Sequence, residues 1–151
     1  MAPALKQGSL KPLTLQPLVV DSTFVREHLK ATGYAIVDAR AKSLYDGTTT
    51  GGSATRPHKT GHIEGALSVP FSEITNGESQ FKSVDELRRA FEGAGVKPGD
   101  TVVAYCHIGQ QATATMFGAR LLGHSVLLYD GSFEEWSRLT NAPVTNPSIK
   151  K

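Results

Sequence analysis

Thr101-Val102-Val103-Ala104-Tyr105-Cys106-His107-Ile108-Gly109-Gln110-Gln111 reads as a strand that stops at a cysteine, then a short loop holding one glycine, then the start of a helix. Residues 101–105 are mostly β-branched or aromatic, as a strand requires. Residues 112–122 are small or apolar on nearly every side, with Met116, Phe117, Leu121 and Leu122 the large members. This predicts a largely buried helix that Gly123 ends. Outward from this stretch, residues 34–37, 66–69 and 125–129 read as further strands. Ser83 and Glu86 have capping-box spacing ahead of Leu87, Ala90 and Phe91, with Gly93 placed to stop that helix, and Ser132 and Glu135 repeat the device ahead of Trp136 and Leu139. An earlier helix is expected over residues 22–30, with Phe24, Val25 and Leu29 inward and Gly33 beyond it. Strands alternating with helices at this spacing give an α/β domain with a mostly parallel central sheet covered by helices on both faces.

The 151 residues suit one domain, expected over 18–145, after an extended arm or linker over 1–17 and before a tail over 146–151. Sixteen basic against fourteen acidic residues, scattered along the chain, make no stripe for nucleic acid. No apolar run approaches the roughly twenty residues of a membrane span, and the first sixteen residues hold no signal-like segment. The expectation is a soluble, cytoplasmic protein that binds neither nucleic acid nor membrane. With one cysteine, Cys106, an internal disulfide is excluded and the thiol is free to be inert or reactive.

A cysteine closing an apolar strand reads, by itself, as a small buried hydrophobe. The order strand, Cys, loop, helix changes that reading, because ligands bind beyond the carboxyl ends of parallel strands. There the loop amides and the positive end of a helix favour a thiolate. At a thiol pKa of about 8.5, only roughly 3% is ionised at neutral pH, and a shift of about two units requires roughly 2.7 kcal/mol. One helix terminus supplies about 0.3–1 kcal/mol, so several amides must converge on the sulfur. The loop therefore has to curl, with Gly109 supplying a positive φ, and a protonated His107 would add charge. His107 and Gln110 read equally well as solvated loop side chains.

Four segments in order extend this picture: Ile36-Val37-Asp38-Ala39-Arg40, Thr60-Gly61-His62-Ile63-Glu64-Gly65-Ala66, the Cys106 loop, and Tyr129-Asp130-Gly131-Ser132-Phe133-Glu134-Glu135-Trp136. In these the chain resembles, over about residues 18–143, the rhodanese superfamily, and specifically the catalytic C-terminal half of tandem thiosulfate and 3-mercaptopyruvate sulfurtransferases. The resemblance implies a rhodanese-like single domain that needs no cofactor. It implies sulfur transfer from a small donor such as thiosulfate or mercaptopyruvate, through a persulfide on Cys106, to cyanide, a thiol or a protein sulfur acceptor. It makes His107, Ile108, Gly109, Gln110 and Gln111 the active-site loop, and Asp38 with Arg40 a structural ion pair at the rim of the site. His62 would organise its own loop. Where thiosulfate-specialised relatives carry Arg and Lys after the cysteine, this chain has His107 and Ile108, and Leu44 replaces an arginine before Tyr45. Arg56, in the long stretch 46–61, stands near the place of another substrate arginine and reads equally well as a solvated charge. With no partner domain over the cleft, the site is expected to be more open, to admit larger carriers or to pair as a homodimer.

Three rivals have weaker support. A dual-specificity-like phosphatase needs an arginine six positions after the cysteine, and Ala112 stands there. A non-catalytic binding module or sulfur carrier of the same family differs in how Cys106 behaves. A metal site from His58 and His62 lacks a helix to align the pair, so no metal is expected, and Gly47, Gly51 and Gly52 precede no Gly-Lys-Ser/Thr.

Overall fold

The computed structural model describes residues 8, 9, 12, 16–78 and 80–149, so the expected arm over 1–17 lies mostly outside the described residues. Five strands form one parallel sheet: β1 (Val19–Val20), β2 (Tyr34–Asp38), β6 (Leu67–Ser68), β7 (Thr101–Tyr105) and β8 (Val126–Tyr129), in the order β1-β8-β7-β2-β6. Strands β2 and β7 run side by side, Tyr34 opposite Thr101 and Asp38 opposite Tyr105, and four of the five residues of each are buried. Such runs belong to parallel strands covered on both faces.

Alternation along β7 sorts the two faces. Val103 and Tyr105 pack with Val25, Phe133 and Trp136, from α1 (Ser22–His28) and α6 (Ser132–Trp136). On the other face Val102 meets Leu87 and Phe91 of α4 (Val84–Ala94), Ile74 of α3 (Phe71–Ile74) and Ala119 of α5 (Gln110–Leu121). Ala104 and Cys106 continue this second face, against Ala112 of α5. No described helix is long and apolar enough to cross a membrane.

The stretch 46–61 carries a hairpin of β3 (Gly52–Ser53) and β4 (Arg56–Pro57), preceded by α2 (Lys42–Tyr45). Beyond it β5 (His62–Ile63) pairs antiparallel with β9 (Val144–Thr145), and Asn146 Nδ2 donates to Thr60 Oγ1 at 2.6 Å. Ser148 Oγ donates to Gly47 O at 3.1 Å.

Three expectations are corrected. Helix α4 opens on the capping box of Ser83 and Glu86 but runs through Gly93 to Ala94 and ends at Gly95, whose φ is 103°. A glycine inside a helix costs about 1 kcal/mol without stopping it, whereas a left-handed residue does stop it. No capping box forms at Ser132, because its hydroxyl donates to Tyr129 O and the Glu135 carboxylate accepts from Tyr129 OH. Helix α5 is not buried all round: its inner face is Ala112, Thr115, Gly118 and Ala119, and Phe117 and Leu121 are each 47% exposed. The inner face carries small residues, and a Cβ on Gly118 would meet the Phe91 ring at an ordinary contact distance of 3.6 Å.

A buried ion pair locks the carboxyl end of β2. Arg40 Nη2 lies 2.6 Å from Asp38 Oδ2 and donates to Gly61 O at 2.8 Å, and its guanidinium sits 3.9 Å over the Phe133 ring. Tyr105 OH donates to Asp38 Oδ2 at 2.7 Å and accepts from Ile63 N at 3.1 Å. Exposure of Asp38 and Arg40 is 0% and 1%, so the pair is fully buried. Breaking such a pair from one side strands a charge without water. We expect Arg40→Met to lower stability by about 3–5 kcal/mol in urea unfolding, and Asp38→Asn added to it to recover part of the loss. Equal stability of the single and double variants would contradict the ionic account.

Candidate active site

Cys106 follows β7 directly and is 1% exposed, at the base of a pocket of about 240 Å³ bounded by Cys106, His107, Ile108, Gln110 and Gln111. All five come from the loop singled out in the sequence. Larger hollows, such as one of about 410 Å³ beside Tyr45, Glu73 and Arg89, share no residue with it and contain no thiol.

Two constraints shape the loop. Gly109 has φ 87°, a conformation that calls for glycine, and a Cβ there would also press on Asp130, 2.6 Å from its Oδ1 and 3.2 Å from its carbonyl oxygen. On its far side the loop is latched to the turn before α6. Cys106 N donates to Ser132 Oγ at 3.1 Å, Phe133 N donates to Cys106 O at 3.0 Å, and Glu134 N donates to His107 O at 3.0 Å. Ser132 holds φ 52°, the one positive value at a non-glycine residue among those described. Such a backbone costs of order 1–3 kcal/mol and persists only where its surroundings impose it. Here the hydroxyl bridges Tyr129 O and the Cys106 amide.

With these carbonyls occupied, the amides of His107 through Ala112 have no protein acceptor among the described residues. The last three open α5, a twelve-residue helix whose positive end adds to the field. A row of unspent donors next to a thiol favours an anion in the pocket, on Cys106 or on something bound to it.

His107 does not bring the positive charge that a protonated ring would. Burial pushes its imidazole below the ordinary histidine range, and Arg40 and His58 push the same way. His62 is also held low by burial, which outweighs its bond to Tyr45 O at 2.8 Å. Its ring stacks on Tyr45 at 3.7 Å, at the loop it was expected to organise and outside the Cys106 pocket. Arg56 is exposed on β4. Asp38 and Arg40 lie in the network behind the site and do not line the pocket.

His58 and Glu134 were not among the candidate site residues. His58 Nε2 contacts the Glu134 carboxylate, which Arg138 Nε also engages at 2.8 Å, and its ring lies 5.6 Å from that of His107. Loop and helix meet here across 76 positions, and no spacing signals such a pair. Neither histidine belongs to a metal cluster among the described residues.

The family model of the rhodanese-like domain matches residues 22–139. The chain belongs to the rhodanese family. A candidate thiosulfate sulfurtransferase of Saccharopolyspora erythraea is 41% identical over 91 residues, 59% of this chain and 32% of that one. The sulfur carrier protein TtuD of Thermus thermophilus is 34% identical over 116 residues, 73% of this chain and 40% of its own. Thiosulfate/3-mercaptopyruvate sulfurtransferase 2 of Arabidopsis thaliana is 30% identical over 149 residues, 93% of this chain and 42% of its own. This rhodanese-like chain thus spans about a third to two-fifths of the length of these curated relatives. Among solved structures, the anaerobic ergothioneine biosynthesis enzyme of Chlorobium limicola superposes with a TM-score of 0.76 at 23% identity, covering 86% of this chain and 32% of that one. That likeness is one of fold.

Two imidazoles held below 6.5 make stability fall on acidification. The unfolded chain takes up these protons first, near pH 6.5, so the native state loses ground as pH falls from there towards the lower native values. Above pH 6.5 the contribution is constant. Urea midpoints at pH 7.5 and 5.5 should differ, and the difference should shrink in His62→Gln and in His107→Gln. An unchanged difference in both would contradict the assignment.

Proposed function

We propose that this rhodanese domain is a sulfurtransferase that carries sulfane sulfur as a persulfide on Cys106. The observation behind this reading is the thiol at the base of a pocket whose rim offers a run of unspent main-chain donors. The Cys106 thiolate attacks the outer sulfur of thiosulfate, the donor S–S bond breaks, and its electron pair leaves with sulfite. An acceptor nucleophile then takes the outer sulfur, and the pair of the second broken S–S bond returns to Cys106. Loop amides stabilise the charge on each sulfur in turn.

Charge on the donor is met by amides and by α5 rather than by a lysine or arginine in the loop, whose residues 107–111 include neither. That composition also suits a second reading, a carrier that passes sulfur between proteins, in keeping with the similarity to a sulfur carrier protein. Discharge of the loaded protein by cyanide separates the two, since a dedicated carrier resists small acceptors.

Mixing reduced protein with thiosulfate should add the mass of one sulfur atom at Cys106, and Cys106→Ser should abolish both the adduct and turnover. Retained turnover in that variant would remove the mechanism. Arg56→Ala should weaken anionic donors more than uncharged ones in KM comparisons, as a cation steering towards the pocket requires. Equal effects on both would make it a surface charge only.

A further inference from the structure

His58 is 6% exposed, and its Nδ1 is a buried nitrogen without a hydrogen-bond partner among the described residues. An orphaned buried nitrogen is costly and calls for an explanation. Nε2 is engaged by the Glu134 carboxylate, which leaves Nδ1 as the nitrogen open to a further partner. A Cβ on Gly51 would lie 3.0 Å from that nitrogen, 3.0 Å from His107 Nδ1 and 2.5 Å from His107 Cε1. Both rings therefore converge on the space beside Gly51, their centroids 5.6 Å apart. His107 continues from there to the wall of the Cys106 pocket.

The array is held from several sides. His58 N donates to Gly51 O at 2.9 Å, and Thr50 Oγ1 donates to His58 O at 3.0 Å. Phe133 meets the His58 ring edge-on at 5.9 Å. Glu134 ties both ends together, its amide on His107 O and its carboxylate on His58, while Arg138 braces that carboxylate. The titratable and charged groups facing His107 are Arg40, His58, Asp38 and Glu134.

We propose that His107, His58 and Glu134 form a proton relay that deprotonates a thiol acceptor at the Cys106 pocket, making thiols rather than preformed anions the acceptors this site serves. The inference rests on the reading of Cys106 as the sulfur-carrying residue. The acceptor S–H bond breaks and its proton goes to His107 Nε2. The proton on His107 Nδ1 is then shared with His58 Nδ1 through a solvent water taken up between the rings, and Glu134 offsets the charge. The acceptor thiolate attacks the outer sulfur of the Cys106 persulfide, one S–S bond forms, and the old one breaks with its electron pair left on Cys106 Sγ. The proton finally leaves with the product persulfide, so no oxidant or reductant is consumed. His58 and Glu134 are positioning residues acting through His107, which burial keeps unprotonated and ready to accept.

Sulfite reaches the persulfide as an anion and needs no base, so it serves as the reference acceptor. Protein loaded with sulfur from thiosulfate is discharged either by sulfite or by a short cysteine peptide, whose thiol titrates near pH 8.5. At pH 7, His58→Gln, Glu134→Gln and Gly51→Ala should each lower the ratio of peptide to sulfite discharge at least about tenfold, a modest share of what general bases contribute. At about pH 10, where solvent supplies the thiolate, the ratio should return to that of the unaltered protein. An equal fall with both acceptors, or a deficit that persists at pH 10, would overturn the relay and leave the persulfide reading intact. Failure of the unaltered protein to load sulfur would overturn both.

Discussion

A guanidinium without water around it is the constraint on which the other parts of the site depend. Arg40 is satisfied by the Asp38 carboxylate, the Gly61 carbonyl and the Phe133 ring, which belong to the end of β2, the turn before β5 and helix α6. An ionised side chain in the interior is tolerated only when such partners are all in place. Asp38 is in turn bonded by Tyr105, the last residue of β7, one position before the thiol. The carboxyl ends of the two central strands are therefore held in register by side chains as well as by the sheet. Such a pair fixes geometry more than it adds stability.

The Cys106 loop is arranged around that fixed end. The turn into α6 offers one hydroxyl and two amides to the loop's first two residues, and the strain at Ser132 is sustained by those bonds. Once the loop carbonyls are occupied on this side, the amides on the other side are left for a ligand. Attraction for anions then comes from main-chain dipoles and a helix end, which hold no titrating charge. This field is fixed by the fold and does not lapse with pH, whereas one built on His107 would vary across the physiological range.

The same economy governs the helices. Helix α5 lies close over the sheet because Ala112, Thr115, Gly118 and Ala119 leave room, and the closeness brings its amino end against the loop. Its large residues, Phe117 and Leu121, face outward. Hydrophobicity along the segment could not reveal this, since burial there is decided by size and not by polarity. At Ser132 a local signal for a cap gave way to a tertiary demand, as the hydroxyl found stronger use on Tyr129 and Cys106.

Periodicity, strand composition and the position of one glycine were enough to read an α/β sheet with Cys106 at its carboxyl edge, because those signals arise from neighbours a few residues apart. The pairing of Asp38 with Arg40 was implied by the family resemblance of one short segment, whereas the Phe133 ring and Gly61 carbonyl that complete its surroundings arrive from elsewhere in the chain. The meeting of His58 with Glu134 and His107 was likewise decided by tertiary structure alone. A hairpin loop, a strand end and a helix start come together there at separations that no local pattern encodes.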